Sequence, residues 1–138
     1  GVFNNISSSL TTMYGCFFNN NDITSIEFTG TCDLSGVSDW RFFGYASSLT
    51  TLSIQTSGAN AADFSGSTQW ISSFTTASLN LTSYGDLLVR LDATLLAANM
   101  PITLSAGSAS WPCGSAADAA RANLITAGNT INDAGSCT

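Results

Sequence analysis

A short apolar signature returns along this chain at nearly constant spacing, and few folds accommodate such a pattern. Ile23-Thr-Ser-Ile26-Glu-Phe28 comes back as Leu49-Thr-Thr-Leu52-Ser-Ile54, as Thr76-Ala-Ser-Leu79-Asn-Leu81 and as Ile102-Thr-Leu104, with a partial echo at Thr130-Ile131. Matching positions lie 26, 27, 23 and about 27 residues apart. Alternation within each copy reads as a strand with one buried face. A period in this range reads as supersecondary units stacked in sequence order.

Each unit reads as strand, polar loop and returning helix. Leu87, Leu88, Leu91, Leu95 and Ala98 fall at helical spacing, and Ser83 with Asp86 reads as a capping box at that helix start. Ser115 with Asp118 repeats the device ahead of a second helix. The segments 40–45 and 69–74 read as short helices or 3₁₀ turns, and the Gly- and Ser-rich stretches at 57–60 and 64–67 as loops. Helical returns make successive strands parallel. The expected fold is therefore α/β, a short right-handed solenoid with a parallel sheet on one face and helices on the other. One domain fills residues 1–138, with an N-terminal cap over 1–18, repeats over 19–133 and a tail over 134–138.

In those strands Ile26, Phe28, Leu52, Ile54, Leu79, Leu81, Ile102 and Leu104 point inward, so their neighbours point out. The outward set expected to meet a partner is Ser25, Glu27, Thr51, Ser53, Gln55, Ser78, Asn80 and Thr103. Glu27 is the one carboxylate among them and the natural anchor for a cation.

The L-x-x-L-x-L core from Leu49 to Ile54, its weaker copies, and the segment Ala117-Asp-Ala-Ala-Arg-Ala-Asn-Leu-Ile125 leading into Gly128-Asn-Thr-Ile131-Asn-Asp133 resemble a leucine-rich-repeat protein. The resemblance is to the irregular, Ser/Thr/Asn-rich BspA-like type of bacterial surface and phage-encoded proteins, over roughly residues 9–133. It implies recognition or adhesion by the sheet face, with no shared catalytic residues.

Composition narrows the partners. Only 9% of residues are charged, none is His, and three Arg face nine carboxylates for a formal net charge of -6. Scattered Arg41, Arg90 and Arg121 cannot displace counterions from a phosphate backbone, so nucleic acid is excluded as a partner. No apolar run reaches the roughly 20 residues of a membrane span, and no basic n-region with an apolar stretch marks a signal peptide. Gly1 is read as the start of a processed chain or of an excerpt.

Four cysteines allow three pairings. Stacking in order favours two terminal staples, Cys16 with Cys32 and Cys113 with Cys137, and hence an oxidising surrounding; four reduced, buried thiols are the other state. None sits in a metal-type C-x-x-C pair, no D-x-[DN]-x-[DN]-G calcium loop is present, and no cofactor is expected.

Without His there is no Ser or Cys triad built on imidazole. Asp33 with Asp39, beside Trp40, and Glu27 with Asp22 are the carboxylate pairs that glycoside chemistry would use. The plainer reading places Asp33 and Asp39 at element ends and Trp40 in the core with Phe42 and Phe43. Trp70, Phe74 and Tyr84 likewise read as core, and Trp111 as a shield or contact beside a disulfide. Asn5-Ile-Ser7 and Asn80-Leu-Thr82 fit the glycosylation triplet, which chance readily produces in so Asn- and Ser-rich a chain.

The function expected from the sequence is a non-enzymatic, extracellular or virion-borne recognition or adhesion module. It binds a protein or glycan on a cell or particle surface through the sheet face. The alternative is a self-assembling structural subunit, a homo-oligomer such as a capsid decoration, fibre, filament or surface layer.

Overall fold

Apolar residues two apart dictate the first sheet: Ile26 and Phe28 are buried while Ser25 and Glu27 are exposed along one strand. The computed structural model describes residues 1–17, 19–41, 46–71 and 73–138. Within them β1 (Val2–Asn4), β2 (Ser25–Thr29) and β3 (Thr51–Ser53) form a parallel sheet in that order. Val2 pairs with Glu27, Ser25 with Thr51, Ile26 with Leu52 and Glu27 with Ser53.

The sheet stops at β3 for a local reason. Ser78 N donates to Leu49 O at 3.1 Å and Asn80 N to Thr50 O at 2.8 Å, as a fourth strand would begin. The Asn80 side chain then accepts from Ser83 N at 2.8 Å and caps α1 (Leu81–Thr94). The Ser83 hydroxyl accepts from Leu52 N at 2.9 Å, so a helix side chain takes the donor that another strand would have used. Buried donors need such partners.

A second set of parallel connections runs beside the first. Isolated bridges join Thr12 to Asp39 and Asp39 to Gln69, with Met13, Trp40 and Trp70 turned inward at 1%, 3% and 1% exposure. Phe74 N donates to Ser105 O at 2.9 Å, which sets β4 (Thr103–Ser105) against this third turn. After β4 comes α2 (Ala116–Thr126), capped by the Ser115 hydroxyl accepting from Ala117 N and Asp118 N. The chain ends through β5 (Thr130–Asn132), parallel to β4 in a two-stranded sheet. Helix α1 packs on α2, and Gly85 permits the approach, since a Cβ there would lie 3.3 Å from the Ala117 methyl.

Rings fill the space between the two sets of turns. Phe3 stacks on Phe28 at 5.2 Å, Phe28 meets Trp40 edge-on, and Trp40 stacks on Trp70 at 5.2 Å and 5° with Phe64 against both. Each such pair contributes about 1 kcal/mol beyond its burial.

These observations correct the expected leucine-rich-repeat-like solenoid. Among the described residues the strands form two separate parallel sheets, of three and two strands, with two helices, and no continuous curved sheet joins them. Leu79 is buried as expected, but it precedes a helix; Leu81 opens that helix at 39% exposure instead of pointing inward. The helix begins at Asn80 and not at a Ser83 box, and Ala98 lies in a 3₁₀ turn, Ala97–Asn99. The resemblance to BspA-like proteins falls with the solenoid, and so do the adhesin and virion associations that came with it. The expected short helices at 40–45 and 69–74 fall partly on residues 42–45 and 72, outside the described residues, as do Phe42 and Phe43; Asp39 and Gln69 themselves are in parallel bridges.

Candidate functional site

The eight expected contact residues divide between locations. Ser25 and Glu27 on β2 lie beside Thr51 and Ser53 on β3, in register, and the strand's inward residues fix their outward aim. Asn80 joins this group, its Nδ2 donating to Thr51 Oγ1 at 3.3 Å while its Oδ1 serves the helix. Gln55 is turned back, its Nε2 donating to Gly30 O at 2.8 Å. Ser78 shares a 3.1 Å hydrogen bond with Ser108, and Thr103 belongs to the other sheet. A single face of eight residues therefore does not form; a patch of five does.

A second outward row was missed. Because Met13, Trp40 and Trp70 point in, residues on either side of each point out: Thr12 and Tyr14, Asp39 and Arg41, Gln69 and Ile71. Arg41 donates from Nε to Asp39 Oδ1 at 2.9 Å and from Nη2 to Asp39 Oδ2 at 2.6 Å, and its guanidinium carbon lies 4.6 Å from the centre of the Tyr14 ring. The signal was present in the sequence as a repeated octapeptide, Asp33-Leu-Ser-Gly-Val-Ser-Asp-Trp40 and Asp63-Phe-Ser-Gly-Ser-Thr-Gln-Trp70, 30 residues apart. Its glycines mark a close approach of layers. A Cβ on Gly36 would come within 2.9 Å of Ser8 O, and one on Gly66 would run into Ser35 O.

The same octapeptides open a groove of about 360 Å³ between residues 31–35 and 59–63. Asp33 and Asp63 line it, with Asn60 and the buried Cys32. Asp33 Oδ1 accepts from Ser35 Oγ at 2.6 Å and Ser35 N at 3.1 Å, and Asp63 Oδ1 from Ser65 N at 2.8 Å. The Ser35 hydrogen bonds hold the Asp33 carboxyl below its ordinary value, and the Arg41 fork does the same for Asp39. A general acid for glycoside cleavage needs the opposite shift. Each carboxylate also holds its own turn, Asp33 accepting from Ser35 N and Asp39 from Arg41 N at 3.1 Å.

Near the C-terminus, a buried polar cluster joins four segments. Arg121 donates to both oxygens of Asp133 at 2.8 and 2.9 Å, Tyr84 donates its hydroxyl to Asp133 Oδ2 at 2.7 Å, and Arg121 lies 4.0 Å over the Trp111 ring. Burial pushes the Tyr84 phenol far above its ordinary value, so it remains a donor. Trp111 is 4% exposed and donates Nε1 to Asp118 Oδ1 at 2.7 Å, which suits the shielding reading. Trp70, Phe74 and Tyr84 are core.

The disulfide Cys113–Cys137 forms as expected, whereas Cys16 and Cys32 are free thiols, Cys16 exposed and Cys32 donating from Sγ to Thr29 O at 2.9 Å. Among the described residues no group of three or more His, Cys, Asp or Glu is placed to hold a metal, and no helix is long and apolar enough to cross a membrane. Comparison with protein-family models, with curated proteins and with solved structures gives no match.

Proposed function

We propose that this protein is a recognition module that binds a protein or glycan partner without chemical turnover. The observation that carries this reading is the register of β2 on β3, which sets Ser25, Glu27, Thr51 and Ser53 in a fixed outward array over a packed core. Short hydroxyl side chains lose little rotamer freedom on contact, so weak hydrogen bonds sum with small entropic opposition. The Cys113–Cys137 bond supports an oxidising, extracellular surrounding.

Paired substitution Glu27→Arg and Ser53→Arg tests the array, since both residues are exposed and neither caps a helix. Capture of a protein partner from the native source, or of an immobilised glycan, should fall at least tenfold with the thermal midpoint unchanged. Capture equal to that of the parent chain sends the contact elsewhere, and no capture in either arm removes the reading. Asn80 is unsuited to this test because it holds the start of α1.

Self-association is the second reading. Strand β1 is an edge of its sheet, Val2 on it is 65% exposed, and Phe3, Ile6, Leu10 and Phe17 are only partly covered at that end of the core. Such an edge can template another chain. Mass photometry over a concentration series tests it, and a single monomeric species would end it.

A further inference from the structure

We infer that the open side of β1 is a two-fold contact with a second copy of this chain, so that the three-stranded sheet of one copy runs on into that of the other. This rests on the self-association reading above and fixes its geometry and its limit. Gly1 O accepts from Glu27 N at 2.9 Å and Asn5 N donates to Thr29 O at 3.2 Å, so these residues turn backbone groups to β2. Alternation turns the N–H and C=O of Val2 and Asn4 the other way, where no strand of the chain pairs with them. Set antiparallel against itself, β1 brings Val2 of one copy opposite Asn4 of the other, with the two-fold axis at Phe3. Each such pair then exchanges both N–H and C=O.

Charge selects the partner. Residues 1–21 hold no charged side chain, whereas the nine carboxylates and three Arg all fall in 22–138. Two chains of net charge -6 repel one another over most of their surfaces, and this first layer is where they approach without setting like side chains together. The same layer leaves apolar area to bury, since Val2 is 65% exposed and Ile6 and Leu10 are only partly covered. The last layer of the chain differs: β5 presents Thr130 and Asn132 to solvent. Apolar area on the first layer therefore finds its match in another first layer.

The opposite edge of the sheet sets the limit. Beyond β3 the Ser83 hydroxyl accepts from Leu52 N and the chain turns into α1, so that side offers no comparable edge. With one open edge on this sheet, β1 against β1 satisfies what each copy presents, and growth stops at two. Residues 1–17 form the layer that meets its copy, bonded on its inner side through Ile6, Thr11, Met13 and Gly15 to residues 33–41. Interfaces of common size take about 20 to 30 residues from each side, so a layer this small gives a reversible dimer.

The test follows copy number by analytical ultracentrifugation of the full chain from low to high micromolar concentration, with Val2→Pro, Val2→Glu and Val2→Thr in parallel. Val2→Pro removes a donor that β2 does not use, Val2→Glu sets like charges across the axis, and Val2→Thr keeps shape and charge. The expected result is a monomer–dimer equilibrium that saturates at two copies. Its dissociation constant should rise about tenfold or more with Val2→Pro and with Val2→Glu, and change less than about twofold with Val2→Thr. Exchange of the Asn4 amide should slow as the dimer fills, while that of Phe3 N–H, on the β2 side, should not change. Circular dichroism shows which variants are folded; Val2→Glu carries the test if Val2→Pro is not, and the Asn4 amide of the parent chain carries it if neither is. Monomer at every concentration overturns the inference and the self-association reading together. A dimer indifferent to Val2→Pro and Val2→Glu, or one that leaves the Asn4 amide unprotected, overturns the inference and leaves that reading standing. Growth beyond two copies does the same.

Discussion

Residues 1–79 and residues 80–138 are held by different kinds of interaction. In the first region the described ion pair, Arg41 with Asp39, joins residues two apart and closes no long loop. Cohesion there comes from backbone ladders between layers and from the ring series Phe3, Phe28, Trp40, Trp70 and Phe64. In the second region the Cys113–Cys137 bond spans 24 residues, and Asp133, with a side chain 0% exposed, accepts both from Arg121 of α2 and from Tyr84 of α1, which lies 49 residues before it. The first region is ordered by periodic packing, which leaves outward side chains free to vary. The second is ordered by specific buried partners, whose loss leaves a charge unanswered.

The sharpest way to break that contrast is Asp133→Ala. It strands the Arg121 cation, 17% exposed, and the buried Tyr84 hydroxyl, a loss of about 3 to 5 kcal/mol by urea denaturation. Amide exchange should rise first in α1, α2 and β5 and least in β2. Equal loss in β2 would mean that the two regions unfold as one unit. Acid should act at the same place. Burial alone would raise the Asp133 carboxyl, but hydrogen bonds from Arg121, Tyr84 and Gly135 N outweigh it and hold the value below the ordinary 3.8. Its stabilising contribution is complete above that value and is lost as pH falls through the lowered one, and Asp133→Asn should flatten the acid limb. Asp86, raised by burial, works in the opposite direction.

Reduction of Cys113–Cys137 comes next. Releasing a loop of 24 residues costs about 3 kcal/mol in the chain-entropy account. The effect should again be concentrated in residues 109–138, read by exchange with and without reductant. In the first region the matching lesion is Gly66→Ala, where the new methyl meets the Ser35 carbonyl and the layers must part, at about 1 to 3 kcal/mol. Gly36→Ala meets Ser8 O at 2.9 Å and should cost less. A reversed order would show that layer spacing is not what the glycines protect.

Burial was legible in the sequence wherever it depended on alternation. Ile26, Phe28, Leu52, Ile54, Leu79, Ile102 and Leu104 are all buried, because two-residue periodicity is a local property. Which strand neighbours which is not local. Three-residue strands such as Thr51–Ser53 and Thr103–Ser105 carry the same Thr-Leu-Ser pattern, yet they lie in different sheets. The Cys16 to Cys32 expectation failed with the same assumption of one stack, since a buried Cys32 thiol needs no partner beyond the Thr29 carbonyl. Of the candidate site, the outward aim of Ser25, Glu27, Thr51 and Ser53 followed from the strand pattern. The Tyr14, Arg41 and Gln69 row did not, because its layers at Met13, Trp40 and Trp70, 27 and 30 residues apart, each carry a single inward residue and lack the alternating apolar pattern of the stronger repeat near 26.

The smallest expected effect probes the point where the two regions join. Asn80→Ala removes the acceptor for Ser83 N and should cost about 1 kcal/mol, whereas Asn80→Asp keeps the acceptor and adds a favourable charge at the helix start, so it should be nearly neutral. The direction of the structural response matters more than its size. Residues 78–80 already donate two backbone hydrogen bonds to 49–50, and at this point the cap and the Ser83 hydroxyl on Leu52 N accompany the turn of the chain into α1. With the cap gone, the first turn of α1 should fray, with faster exchange at Ser83 and Tyr84 and at Leu52, whose partner sits on that turn. If exchange at Leu52 slows instead, the segment has continued as a fourth strand. The boundary between the ladder-built and partner-built regions would then be set by one side chain.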